Sequence, residues 1–134
     1  MANTRGMIDS SVLIDISNID SDELPDEVTI SAITLAELAA GPHAAKDPLE
    51  RARRQELLQR VEATFVPLPF DTAAARAYGQ IYAATVAAGR KPRGRRAYDL
   101  MIAATALAAE APLYTRNPSD FYGLDTFIQV VTVK

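Results

Sequence analysis

Cysteine is absent from all 134 residues, which removes disulfide scaffolds, zinc fingers, iron–sulfur clusters and thiol nucleophiles together. Tryptophan is absent as well, and histidine occurs once, at His43. A histidine-rich metal site is therefore excluded, and any metal chemistry must run on oxygen ligands. No stretch approaches the roughly 18 consecutive apolar residues of a membrane helix, and no signal-like apolar run follows Met1 to Arg5, so a soluble, cytoplasmic protein is expected. Lysine and arginine are missing from residues 6–45, which hold 8 of the 17 acids. The net charge of -3 and pI near 5.1 argue, taken whole, against a nucleic-acid partner.

What remains can fold. Hydrophobic residues make up 49% and charged residues 23%, enough to bury a core, and 134 residues suit one domain spanning 1–134. Gly6-Met7-Ile8 reads as a short strand ending in Asp9, with Ser10-Ser11 as helix caps before Val12. Glu27 to Thr34 is β-branched and predicts a second strand, after which Thr34 and Glu37 have capping-box spacing for a helix stopped by Gly41-Pro42. Asp47-Pro48 opens a mixed-charge helix to about Ala63, and Phe65 to Leu68 reads as a short strand. Asp71 caps an alanine-rich helix ending at Gly89. Gly89 to Arg96 is a basic loop carrying five of the 14 bases, and Tyr98 to Glu110 an apolar helix with Asp99 in its first turn. Leu113 to Thr115 and Phe127 to Val133 read as the last strands, separated by an Asn117-Pro118-Ser119-Asp120 turn.

Strands alternating with helices predict an α/β fold, a three-layer sandwich with a short, mostly parallel central sheet flanked by helices. Function in such sheets gathers beyond the carboxyl ends of the strands. Asp9 ends the first strand, Glu37 lies one turn into the helix after the second, and Asp120 follows the third; Asp99 opens a buried helix whose start can face the same edge. Four converging carboxylates need a counter-charge. A divalent cation supplies one, and an all-oxygen set suits Mg²⁺ or Mn²⁺, which can activate water against a phosphodiester. Each acid also has a plainer reading: Glu37 in a capping box, Asp9 as a helix cap, Asp99 as a dipole partner and Asp120 as an ordinary turn residue. Asp15 and His43 read as solvent-facing.

Met7-Ile8-Asp9-Ser10-Ser11-Val12-Leu13-Ile14-Asp15, Ile33-Thr34-Leu35-Ala36-Glu37-Leu38, Tyr98-Asp99-Leu100-Met101-Ile102-Ala103-Ala104 and Thr115-Arg116-Asn117-Pro118-Ser119-Asp120-Phe121 occur in an order that resembles the PIN-domain ribonucleases, and more narrowly the VapC-type toxins of bacterial VapBC toxin–antitoxin pairs. The resemblance spans the chain. It implies Asp9, Glu37 and Asp99 as metal-binding catalytic acids, with Asp120 favoured in the fourth position and Asn117 as a polar helper. Ser10 stands where members usually carry threonine and keeps the hydroxyl. The resemblance further implies Mg²⁺-dependent endonucleolytic cleavage of RNA, a VapB-type antitoxin whose tail covers the site, and a homodimer. A non-catalytic RNA- or partner-binding module and a nuclease acting on DNA are the alternatives.

The basic loop reads either as solvated charge or as an RNA-backbone contact through Arg93, Arg95 and Arg96, with Arg116 placed to touch phosphate before the last motif. The acidic pI also softens. With Asp9, Glu37, Asp99 and Asp120 assigned to metal, the remaining 13 acids face 14 bases.

Overall fold

The structure, a computed structural model, describes residues 4–134. Four short strands form one parallel sheet: β1 (Arg5–Ile8), β2 (Glu27–Thr29), β3 (Leu113–Thr115) and β4 (Val130–Thr132), in the order β2-β1-β3-β4. Around it lie α1 (Ser10–Leu13), α2 (Ala32–Ala44), α3 (Pro48–Thr64), α4 (Thr72–Ala87) and α5 (Arg95–Ala108). Successive strand residues face opposite sides, and this alternation divides the core. Met7 and Leu113 pack with Ile81, Leu100, Ile102 and Phe121 beneath α4 and α5, whereas Ile8 packs with Val12, Leu13, Ile30, Val61 and Val133 beneath α1 and α3. The three-layer α/β sandwich expected from the sequence is thus present.

Several local expectations change. The second strand stops at Thr29, because Ser31 caps α2 by accepting the Ile33 N–H at 3.0 Å. Thr34 and Glu37 therefore lie inside the helix and form no capping box. Gly41-Pro42 does not end α2 either: the chain stays helical to Ala44 and carries His43, exposed, in its last turn. The Gly41 carbonyl, left free near the helix end, accepts the Arg54 guanidinium from α3 at 2.9 Å. The 65–68 segment contributes only an isolated bridge between Ser31 and Leu68, and the last strand is confined to Val130–Thr132. Arg95 and Arg96 belong to α5 rather than to the basic loop, so Asp99 sits in the second helical turn. The Asn117 to Asp120 turn is a 3-10 turn, Pro118–Phe121.

In the order β2-β1-β3-β4 the connections leave β1 in opposite directions, so the switch point lies between β1 and β3. A crevice forms beyond the carboxyl ends of strands at such a point. Asp9 follows β1 there, and Arg116 and Asn117 follow β3.

Candidate active site

Asp9 is 6% exposed and caps α1 itself, accepting the Val12 N–H at 3.3 Å. The expected caps, Ser10 and Ser11, are the first residues of that helix instead. The Ser11 hydroxyl donates to Asp9 Oδ1 at 2.6 Å and accepts the Arg116 backbone N–H at 3.0 Å. It also lies 3.4 Å from the Thr115 hydroxyl, which accepts the Asn117 N–H at 3.0 Å. Capping and hydroxyl contacts both end on Oδ1, and Oδ2 accepts no hydrogen bond among the described residues. Asp9 therefore caps a helix and still keeps one oxygen for a ligand.

Glu37 projects from the second turn of α2, half-buried, and among the described residues its Oε1 has no hydrogen-bond partner; nor does the buried Thr34 hydroxyl one turn earlier. Burial pushes the Glu37 carboxyl above its ordinary value; the Arg95 charge opposes the shift and Asp9 adds to it. Asp99 lies on α5, which packs against α2. Its carboxyl is pushed up to about 6, chiefly by burial, then by the charges of Asp120 and Glu37; Arg95 opposes, and Asp9 adds the smallest contribution. Asp9, Glu37, Asp120 and Arg95 thus all lie within electrostatic reach of Asp99. Asp120 is exposed, on the 3-10 turn.

Half-buried carboxylates without protein partners fit a hard divalent cation. The side chains do not close into a cage: among the described residues no three acidic or histidine side chains converge tightly enough to enclose an ion. An open set of this kind fits Mg²⁺, which is held by few carboxylates and keeps several waters.

The arginines divide by their partners. Arg116 Nη1 pairs with Asp15 at 2.7 Å and its Nη2 donates to the Lys134 carbonyl at 2.9 Å, so both ends of the guanidinium already have partners within the protein. Asp15 is accordingly not a free surface acid; hydrogen bonds from Asn18 and then Arg116 hold its carboxyl below the usual range. Arg96 donates to the Lys91 carbonyl at 3.1 Å. Arg93 and Arg95, both exposed, make no ion pair or side-chain hydrogen bond among the described residues.

The PIN domain family profile matches residues 7–125, which include all four acids. The chain belongs to the PIN-domain family. Ribonuclease VapC5 of Mycobacterium tuberculosis (strain ATCC 25618 / H37Rv) is 34% identical to it over 132 residues, covering 96% of this chain and 94% of that protein. Ribonuclease VapC of Rickettsia bellii (strain RML369-C) is 31% identical over 112 residues, covering 81% and 78%. The crystal structure of a member of the VapBC family of toxin–antitoxin systems, VapBC-5 from Mycobacterium tuberculosis, overlays with a TM-score of 0.83 at 35% identity, covering 97% of this chain and 99% of that one.

In this PIN domain a groove of about 790 Å³ runs past Glu37. Ser10, Glu37 and Arg95 line its site end; Leu38, Leu57 and the 63%-exposed Ile14 supply apolar wall, and Arg53 and Arg60 line the α3 side. Ser10 thus faces the groove while Ser11 supports Asp9, a division the sequence reading missed. Adjacent serines on one short helix carry no sequence signal that separates them, because only the approach of β3 selects Ser11.

Proposed function

We propose that this chain is the ribonuclease toxin of a VapBC-type pair, cleaving RNA by Mg²⁺-dependent hydrolysis. The observation that carries the reading is the pair of half-buried carboxylates Glu37 and Asp99, set beside Asp9 and Asp120 in a PIN domain. Its likeness over nearly the full chain to a protein named ribonuclease VapC5 supports RNA as substrate.

Asp9, Glu37, Asp99 and Asp120 would supply the acidic set for the ion, one or two of them as direct ligands and the others through its waters. Bound there, Mg²⁺ (or Mn²⁺) supplies a Lewis acid that lowers the pKa of a coordinated water and offsets charge developing on the phosphate. Ser11 and the Val12 N–H fix the orientation of Asp9 through Oδ1, leaving Oδ2 for a ligand. Arg95, whose charge acts on both Glu37 and Asp99, is placed to hold the phosphate at the same spot, with Arg93 free to contact the flanking backbone. Ser10 and Asn117 are the polar neighbours on either side. The mixed apolar and charged groove suits a VapB-type antitoxin segment, in keeping with the VapBC crystal structure that this fold matches. Homodimerisation and a cytoplasmic location accompany this reading; light scattering on the purified chain tests the first.

The deciding experiment compares RNA cleavage by the wild type, Asp9→Asn and Asp99→Asn, with and without a chelator. Loss of cleavage in both variants and with chelator is expected. Undiminished cleavage in either variant removes the metal assignment, and the absence of saturable Mn²⁺ binding by calorimetry marks a non-catalytic module.

A further inference from the structure

Arg90 opens the basic segment, yet its surroundings differ from those of Arg93 and Arg95. The end of α4 closes with the Gly89 N–H on the Val86 carbonyl at 2.9 Å and the Arg90 N–H on the Thr85 carbonyl at 3.1 Å, around Gly89 at φ 81. This 6→1 and 5→2 pattern sets the direction in which the next residue leaves the helix. Arg90 leaves toward the 3-10 turn that carries Asp120. Its Nη1 donates to the Ser119 carbonyl at 2.6 Å, and its guanidinium lies 5.1 Å from the centroid of the Tyr122 ring. The same carbonyl accepts the Tyr122 N–H at 3.3 Å. One residue further on, a Cβ at Gly123 would meet the Ala88 Cβ at 2.8 Å, so glycine is what lets this loop lie directly on the end of α4.

The Asp120 turn is therefore held from two sides. Phe121 and Leu124, each 1% exposed, anchor it in the core, and Arg90 grips its outer face. Asp120 itself is exposed, and among the described residues its carboxylate makes no hydrogen bond or ion pair, so the backbone of this turn directs it.

We infer that Arg90 is a positioning residue for the fourth acid: by clamping the Ser119 carbonyl and the Tyr122 ring it fixes the turn that presents Asp120 to the site. A guanidinium holding a carbonyl and an aromatic face is largely withdrawn from RNA phosphate, although it lies in the basic run that the sequence reads either as solvated charge or as an RNA-backbone contact. This inference rests on the proposed metal-dependent nuclease, so its test includes a readout independent of cleavage.

Amide hydrogen exchange at residues 119–122 is measured without metal in the wild type, Arg90→Ala and Arg90→Lys. Faster exchange confined to this turn in Arg90→Ala, partly restored in Arg90→Lys, is expected. With RNA and Mn²⁺, Arg90→Ala should lower kcat and Mn²⁺ affinity by about tenfold, the range for an outer-shell partner, while leaving KM and the salt slope of RNA binding unchanged. Tyr122→Ala should produce the same loss, and the double variant no more than either alone. Unchanged exchange in Arg90→Ala overturns the inference whether or not the protein cleaves RNA, as does a reduced salt slope with unchanged kcat, which would return Arg90 to phosphate contact. Wild-type protein that cleaves no RNA would instead refute the proposed function, leaving the exchange result to judge the clamp.

Discussion

The Ser11 hydroxyl donates to the Asp9 carboxylate at 2.6 Å while accepting a backbone N–H from Arg116, 105 positions along the chain. The first acid is thus steadied from β3 as well as from its own helix, and its geometry depends on strand pairing as much as on the Asp-Ser-Ser sequence. Asp9 N–H bonding to the Tyr114 carbonyl at 3.1 Å ties the same two strand ends.

Replacing Ser11 by alanine removes that link. The expected cost is about 2 kcal/mol of stability, as for a hydrogen bond to a charged group, because the Arg116 N–H also loses its acceptor. Cleavage should fall more than stability does, and Ser11→Thr should restore much of it. Urea unfolding and single-turnover cleavage check both; a rate within twofold of wild type in Ser11→Ala would detach Ser11 from the site.

Asp99 leads to a pH prediction. Its folded pKa of about 6 lies above the ordinary 3.8, so between those values the folded state binds the extra proton and the unliganded protein loses stability as pH rises. Allowing for a half-exposed group, the loss is about 1 kcal/mol. Asp99→Asn should reduce the slope to the part that the raised Glu37 carboxyl contributes with the same sign, and should be the more stable protein at pH 7 without metal. Thermal melts from pH 4 to pH 7 read this directly, and a slope of wild-type size in Asp99→Asn would refute it.

Metal should reverse the order. Mg²⁺ or Mn²⁺ binding the folded state is expected to raise the wild-type melting temperature at pH 7 and to leave Asp99→Asn unmoved. Chelator should restore the metal-free order. Equal shifts in both proteins would place the ion elsewhere.

The Arg116–Asp15 pair behaves oppositely with pH. Asp15 has a depressed folded pKa, held down first by Asn18 and then by Arg116, so its contribution is present at neutral pH and lost as pH falls through that lowered value. Arg116→Ala should melt below wild type at pH 7, and the gap should narrow in strong acid to what the Lys134 contact contributes. A constant gap would show that Arg116 acts through the Lys134 carbonyl alone.

Among the remaining bases, neutralising Arg93, Arg95 and Arg96 together should weaken RNA binding and flatten its salt slope by up to about 2, given roughly 0.7 per phosphate on a single strand. Titrations at several salt concentrations measure it. An unchanged slope would return these residues to solvated charge.

The local sequence by itself determined the layer architecture and the short list of acids. Strand and helix patterns alternate, apolar residues such as Met7 and Ile8 supply both faces of a strand, and the absence of cysteine with a single histidine leaves oxygen as the metal-binding atom. The tertiary structure decided which nearby alternatives are used. Thr34 and Glu37 have capping-box spacing, but Ser31 is already the cap, and this frees Glu37 to lie half-buried and unpartnered beside Asp99. Arg90, Arg95 and Arg116 are equal as letters, yet one clamps a turn, one faces the carboxylates and one binds Asp15, because their partners arrive from distant segments. Residue type and spacing carry local preference, whereas burial, pairing and the resulting shifts in charge exist only once strands and helices have been packed together.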